Sequence, residues 1–535
     1  MRIVDFYPSQ GSFSPGDTIT FLIELEASVS QDITLQIFIR HLAEQPIVVE
    51  KQLMLTSGKH TVQMQWIPPA KPAGYSARLE ILPANDSSAL YAATAFDVLS
   101  KWTDFPRYGF LTDFSASHAD PETVVKKLTR FHINGLQFYD WQYRHDQLLA
   151  PTEEYIDPLG RVMSLASVRK LVDVAHQHGM ASMPYLAIYA ASADFWRAHP
   201  DWALYDEVGK AIAFGEDFLG LMDPSAGSPW SEHLLVEGAR ALNGIPFDGL
   251  HIDQYGDPKQ AWDSQHRPMD LPQAFVDFIK SASDQHPDQT ILFNAVGNWP
   301  IEALAESAVD FMYIEVWPPD VEYRHLAEIV LNSVRLSHGK AAVIALYLPA
   351  SRPSNNLLAD AVIVACGGTR IELGEDARLL SDPYFPKHEQ ILPELYAALR
   401  RLADFTVRNG EWLSSYTLSD VEKITWAESD LNPKTVSTDD SIMTVARRYP
   451  NSLSVRLINF NGLDLHQHWD EEHAAPTPFQ NISIKIQIDN RPSQIFWDCP
   501  ELTDGPEALD FEYTDETLTF QIPQISYIGL VAIYE

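Results

Sequence analysis

Long apolar runs, basic residues and cysteine are what this sequence has little of, and each shortage excludes something. No stretch of about 18 apolar residues occurs, so no membrane-spanning helix is expected. Lysine and arginine number 38 against 73 aspartates and glutamates, a formal net charge of −35 over 535 residues. A chain this acidic repels phosphate backbones and anionic lipid surfaces, so neither nucleic acid nor a membrane is an expected partner. The only cysteines are Cys366 and Cys499, with no CxxC pair. A disulfide framework is excluded, and two buried free thiols are expected. His145 and Asp140 lack a recognisable metal-ligand spacing, so no metal is expected there. Whether Asp206 and Glu207 hold a structural calcium is left open by the sequence. There is no glycine-rich phosphate loop and no Gly-x-Ser-x-Gly elbow, and no cofactor is expected. The N-terminus, Met1–Phe6, enters a strand-like pattern without an apolar leader. A cytoplasmic location is the expectation, or a secreted one if a leader has been removed.

What is present is material for a large core: 45% of residues are hydrophobic and 21% charged. Three segments differ in pattern. Residues 1–101 alternate over short runs such as Thr18–Leu25, divided by turns such as Ser14-Pro15-Gly16-Asp17, and predict an immunoglobulin-like β-sandwich. Residues 102–404 alternate strand-like and helical stretches, the pattern of βαβ units. Eight strands are expected: 107–114, 135–141, 181–189, 249–254, 290–296, 310–317, 341–348 and 369–373. The clearest helix is Ser167–His178, with Val168, Leu171, Val172 and Ala175 on one face. Eight such repeats predict a closed (β/α)8 TIM barrel, whose functional loops follow the C-terminal ends of its strands. A small hairpin, 201–205 with 211–214, is expected in the long connection between strands three and four. Residues 405–535 return to β alternation, as in Leu453–Asn459 and Ile482–Ile488, and predict a C-terminal antiparallel β-sandwich. The fold class is therefore multidomain, a central TIM barrel flanked by two sandwiches. Oligomeric state is not legible.

Where strands two, four and six end, the sequence turns acidic and aromatic. Strand two runs out through Tyr139-Asp140-Trp141-Gln142-Tyr143-Arg144-His145. Strand four reads His251-Ile252-Asp253-Gln254-Tyr255, and strand six Tyr313-Ile314-Glu315-Val316-Trp317. A carboxylate in an apolar strand needs a partner or a function, because burying the charge alone is costly. Two carboxylates converging on one cavity are what glycosidic bond cleavage requires. A polar, hydrated surrounding is expected to keep Asp253 ionised, while apolar neighbours and a second carboxylate raise Glu315. Flat rings near the strand ends suit the apolar faces of sugars: Trp141, Tyr143, Tyr185, Tyr189, Tyr255, Trp299, Tyr313, Trp317 and Tyr347. His251 alternates with Asp253 and should face the barrel interior, either at the substrate or as a hydrogen-bonded core histidine. Asn294 could bind a sugar hydroxyl or orient Glu315. Asp113, near the end of strand one, is an acceptor without an assigned role.

These three motifs, in this order on strands two, four and six, resemble glycoside hydrolase family 66, which contains endo-dextranases and cycloisomaltooligosaccharide glucanotransferases. The resemblance covers the whole chain. It implies an α-1,6-glucan or isomaltooligosaccharide substrate and a retaining mechanism, with Asp253 as nucleophile and Glu315 as general acid/base. It also implies that Asp140 binds a hydroxyl in the −1 subsite. The candidate substrate contacts are Asp140, Trp141, Tyr143, Arg144, His145, Tyr189, His251, Gln254, Tyr255, Asn294, Tyr313 and Trp317. The cyclising members carry an extra carbohydrate-binding module after strand seven, whereas here only a helix fits before strand eight. That favours a hydrolase over an efficient cyclase. The competing readings are a transglycosylase or cyclising transferase on the same site, a non-catalytic carbohydrate-binding protein, and an exo-acting α-glucosidase or α-galactosidase.

Overall fold

The computed structural model describes residues 1–84, 88–117, 120–414, 442–449, 452–463, 467–469 and 472–535. Its centre is an eight-stranded parallel sheet in sequential order: Tyr108–Leu111, Gly135–Phe138, Ala181–Ala187, Gly249–Asp253, Thr290–Val296, Met312–Glu315, Ala342–Ala345 and Gly368–Ile371. All eight expected strands are present; several of the ladders stop short of the expected C-terminal ends, where the chain turns into the loops. The barrel closes where the Phe110 amide donates to the Leu373 carbonyl at 3.1 Å. Glycine is required beside this seam, since a Cβ on Gly109 would lie 2.7 Å from the same carbonyl oxygen.

The helix expected at 167–178 forms over Leu165–Gln177 and buries Val168, Leu171, Val172 and Ala175 against the barrel. Ser164 caps it by accepting the Ser167 amide. The insertion between strands three and four contains a short form of the expected hairpin beside a small sheet. Its sheet has three short strands, Ala190–Ser192, Leu219–Leu221 and Ala213–Phe214, in that spatial order. Tyr205 pairs with Ala211 through an isolated antiparallel bridge, flanked by bonds from the Ile212 amide to the Leu204 carbonyl and from the Asp206 amide to the Lys210 carbonyl, both 2.9 Å. The turn of this small hairpin is tightened by Asp206 Oδ1, which accepts the amides of Val208 and Lys210.

The described residues between 2 and 98 form antiparallel sheets of three and four strands whose inward faces share one core, including Phe21, Ile37, Leu79 and Phe96. The described C-terminal residues form antiparallel sheets of five and three strands around Val455, Ile486, Trp497 and Phe520. The boundary expected at 404/405 falls inside the helix Pro393–Arg408, which a short helix, Gly410–Leu413, follows. That long helix packs its apolar stripe on the barrel and ties all three parts together. Arg400 pairs with Asp5 at 2.7 Å. His132 and the Ala95 amide both meet Asp404. Arg408 grips Asp498 of the C-terminal sheets through two bonds of 2.8 Å. Both members of this last pair are buried. Removing one leaves a desolvated charge, so Arg408→Met is expected to cost about 3–5 kcal/mol of stability. Thermal unfolding of the variant checks this, and an unchanged Tm would exclude it.

Cys366 and Cys499 are free and buried, as expected. Among the described residues no helix is long and apolar enough to cross a membrane.

Candidate active site

Along each barrel strand, side chains alternate between the helices and the barrel axis. In strand four, Leu250 and Ile252 pack into the core shared with the helices, so His251 and Asp253 face inward. In strand six, Met312 and Ile314 pack outward, while Phe311 and Tyr313 join an inner cluster with Tyr108, Met183, Leu292, Val343 and Tyr347. Asp253 and Glu315 are thus the last inward residues of their strands. Both stand at the C-terminal mouth, above an aromatic plug.

Asn294 of strand five holds the two carboxylates together. Its Nδ2 donates to Asp253 Oδ1 at 2.9 Å and to Glu315 Oε2 at 2.8 Å. The two N–H bonds of a planar amide diverge by roughly 120°, which sets these acceptor oxygens about 5 Å apart. Each carboxylate also accepts a phenol. Tyr185 Oη donates to Asp253 Oδ2 at 2.8 Å, and Tyr347 Oη donates to Glu315 Oε1 at 2.7 Å.

Other expected residues fall into three groups. Asp140, Tyr189, Tyr255 and Trp317 stand around the pair. The tyrosine rings of 189 and 255 meet edge to face at 5.4 Å. The charges of Asp253, Asp140 and Glu315 all bear on the Tyr189 phenol, after burial itself. Asp140 adopts the left-handed backbone, φ 53°, which aspartate tolerates better than most residues. A second group lies below or behind the pocket. Trp141 is fully enclosed and donates from Nε1 to the Tyr185 carbonyl, so it braces the wall rather than facing a ligand. His251 and Tyr313 sit within the barrel, where His251 Nδ1 lies 3.1 Å from Tyr108 Oη. Burial pushes His251 down to about 3, so it is neutral. His145 is also buried and pushed down to about 4. A third group is committed to the backbone: Gln254 bonds the Trp299 carbonyl and the Gly256 amide, and Arg144 bonds the carbonyls of Tyr143 and Ile156. Tyr143 lies under the Arg144 guanidinium, 4.1 Å from ring centroid to carbon. Asp113 gives its backbone amide to Glu375.

Tyr185 and Tyr347 belong to the site although only their general position was legible. Their signal is parity: Tyr185 shares the inward face with Met183, and Tyr347 with Val343 and Ala345. Tyr139 is a further addition. It stacks on Phe385 at 4.3 Å, a residue brought in by the loop after strand eight.

Burial raises both carboxyls above the ordinary range. Next in size on Asp253 is the negative charge of Glu315. The expectation that a hydrated surrounding keeps the Asp253 pKa low is therefore corrected: burial of its carboxyl and the neighbouring Glu315 charge raise it. The hydrogen bonds from Tyr185, Tyr347 and Asn294 pull the other way on their own partners. The Trp317 indole also favours the Glu315 anion, at longer range than a close hydrogen bond. The two groups titrate as a pair and retain a shared proton to higher pH than free carboxyls, whose pKa is about 4. Activity that needs one protonated and one ionised member follows a bell-shaped profile. Raised values displace both limbs upward: the acid limb where the second proton binds, the alkaline limb where the shared proton leaves. The pH dependence of kcat/KM is expected to show an optimum well above 4. An alkaline fall complete by pH 5 would exclude a raised pair.

Fold and site together define a class, the barrel-fold glycosyl hydrolases with paired carboxylates at the C-terminal rim. The chain belongs to glycosyl hydrolase family 66, whose sequence model matches residues 9–532. A cycloisomaltooligosaccharide glucanotransferase of Niallia circulans is 28% identical over 376 residues, 64% of this chain and 38% of that protein. The match thus spans under two fifths of the curated relative's length. A crystal structure of a Paenibacillus sp. cycloisomaltooligosaccharide glucanotransferase complexed with cycloisomaltoheptaose superposes with a TM-score of 0.87. It covers 99% of both chains at 20% identity. A maltogenic α-amylase, AmyB of Thermotoga neapolitana, aligns with a TM-score of 0.50 and 13% identity over 81% of this chain and 99% of its own.

Proposed function

We propose that this chain cleaves α-1,6-glucosidic linkages of dextran or isomaltooligosaccharides with retention of configuration, through a covalent glycosyl-enzyme on Asp253. The observation that carries the mechanism is the single Asn294 amide bonded to both carboxylates. Oxygens bonded to one amide lie about 5 Å apart on ideal geometry, which supports a retaining pair, for which roughly 5–5.5 Å is typical, over an inverting pair at about 6.5–9.5 Å.

In the first step an Asp253 oxygen attacks the anomeric carbon of the sugar in the −1 position. The bond from that carbon to O6 of the neighbouring glucose breaks, and Glu315 delivers its proton to the departing oxygen. In the second step Glu315 takes a proton from water, the water oxygen attacks the same carbon, and Asp253 leaves as carboxylate. Two inversions give net retention. Tyr185 holds Asp253 and Tyr347 holds Glu315. Asn294 fixes their separation so that no reorganisation is needed as charge moves between them. Asp140, with a carboxyl pushed up to about 6 mainly by burial, is placed to accept a sugar hydroxyl.

Transfer is the second reading, favoured by the glucanotransferase relatives: an acceptor hydroxyl replaces water in the second step. Strands seven and eight are joined here through a single helix, Pro353–Ala365. The glucanotransferase of known structure aligns along 99% of its own chain with this one. The lack of an inserted module therefore does not separate hydrolysis from transfer. We read the flanking sheet pairs as an immunoglobulin-like sandwich and a C-terminal sandwich, on the strength of their shared cores.

The test is incubation with dextran and with isomaltooligosaccharides, the products being resolved by chromatography. Short linear α-1,6 products are expected. Cyclic or elongated products would assign transfer, and glucose alone an exo-acting enzyme. No cleavage of either substrate would overturn the substrate assignment.

A further inference from the structure

Three rings in successive contact connect Glu315 to the C-terminal part of the chain. The first is Tyr347, whose hydroxyl bonds the Glu315 carboxylate. The second is Trp317, its centroid 5.8 Å from that of Tyr347. The third is Trp469, its centroid 5.9 Å from that of Trp317 and its plane tilted 46° to it. Trp317 and Trp469 are both only partly buried. Trp469 does not come from the barrel. It belongs to the C-terminal domain, yet it packs against the inner cluster of the barrel mouth.

The segment that carries it is fastened to the loops after strands six and seven. The His468 amide donates to the Val321 carbonyl at 2.9 Å, and His468 Nε2 lies 3.0 Å from the Asp320 carbonyl. Gln467 bridges Glu322. Arg352 Nη1 donates to the Trp469 carbonyl at 2.7 Å. Burial holds His468 at about 4, so it is a neutral link that persists across the working pH range. A ring whose main chain is fastened at His468 and Trp469 before any ligand arrives loses less freedom on binding one.

We propose that Trp469 and Trp317 together form a leaving-group subsite, in which a glucosyl unit on the reducing side of the cleaved bond stacks on the ring faces. The proton donor must face the departing oxygen, so the side of the pocket occupied by Glu315 is the leaving-group side. The two rings continue from that side. Centroid steps of just under 6 Å are comparable with the span of a pyranose ring. Aromatic faces supply large apolar area to the C–H faces of sugars, with little side-chain entropy to lose. The C-terminal domain then completes the active site as well as packing on it.

This rests on the function proposed above, and the experiment separates the two. Trp469→Leu keeps apolar bulk and removes the ring, while Trp469→Phe restores a ring. Each is compared with the parent on an isomaltooligosaccharide, whose leaving group fills the rim, and on α-isomaltosyl fluoride, whose leaving group does not. For Trp469→Leu, kcat/KM on the oligosaccharide is expected to fall about 10-fold or more, chiefly through KM. On the fluoride the change is expected to stay within about 2-fold, and Trp469→Phe should regain most of the loss. An equal loss on both substrates would make Trp469 a structural residue and overturn the subsite. So would an unchanged oligosaccharide KM. If the parent cleaves neither substrate, the α-1,6-glucan assignment falls and the subsite with it.

Discussion

Asp253→Ala is expected to lower kcat/KM on α-1,6-glucan by about ten-thousand-fold or more with the barrel intact. The side chain lost is the one that forms the bond to carbon, and no other carboxylate can take its place. Glu315 is held away by Asn294 and Tyr347, and Asp140 lies in the turn after strand two. The variant should be no less stable than the parent. Desolvation raises the Asp253 carboxyl, so its ionised form opposes folding above its pKa, and this opposition grows as pH rises through that value. Truncation removes it. A small anion such as azide, supplied in solution, is expected to enter the vacated space and attack the anomeric carbon of an activated substrate. One inversion instead of two then gives a β-linked glucosyl azide. Product analysis by NMR reads the configuration. An α-linked azide, or near-normal hydrolysis, would remove Asp253 from the nucleophile's role.

Glu315→Ala is expected to affect substrates unequally. A glucosidic oxygen leaves poorly without a proton, so cleavage of isomaltooligosaccharides should slow by about 100- to 10,000-fold, the usual range for a general acid. Fluoride needs little protonation to leave, so formation of the glycosyl-enzyme from a glucosyl fluoride should be much less affected. Its hydrolysis, which needs Glu315 as base, should then become the slow step. A burst of fluoride followed by slow turnover is the signature. Equal slowing of both substrates would show that Glu315 acts on the pocket's shape instead of on the proton.

Both effects depend on a geometry that the sequence shows only in part. The parity of His251-Ile252-Asp253 and Tyr313-Ile314-Glu315 places each carboxylate on the inward face. The position of each at its strand's end places it at the mouth. The same parity was available for Asn294, Tyr185 and Tyr347, but which carboxylate each contacts depends on strand register and barrel shear. Asn294 stands opposite Tyr313 across one ladder, and Ala187 opposite Asp253 across another. Trp141 and His251 illustrate the converse. An aromatic or polar residue beside a motif can face the core, and only the packing around it decides. The expected 404/405 boundary falls within the helix Pro393–Arg408, whose side chains reach both flanking parts of the chain.

Local alternation, apolar periodicity and turn chemistry act over a few residues, so the sequence by itself determined the eight barrel strands, their order, the β character of both flanks and the carboxylate pair. Distances between residues far apart in the chain are set by closure, register and docking, none of which a local pattern encodes. The bridge through Asn294, the burial that raises Asp253 as well as Glu315 and the arrival of Trp469 beside Trp317 were therefore set by the tertiary structure. Each exists because segments separated by tens to hundreds of residues are pressed against one closed mouth.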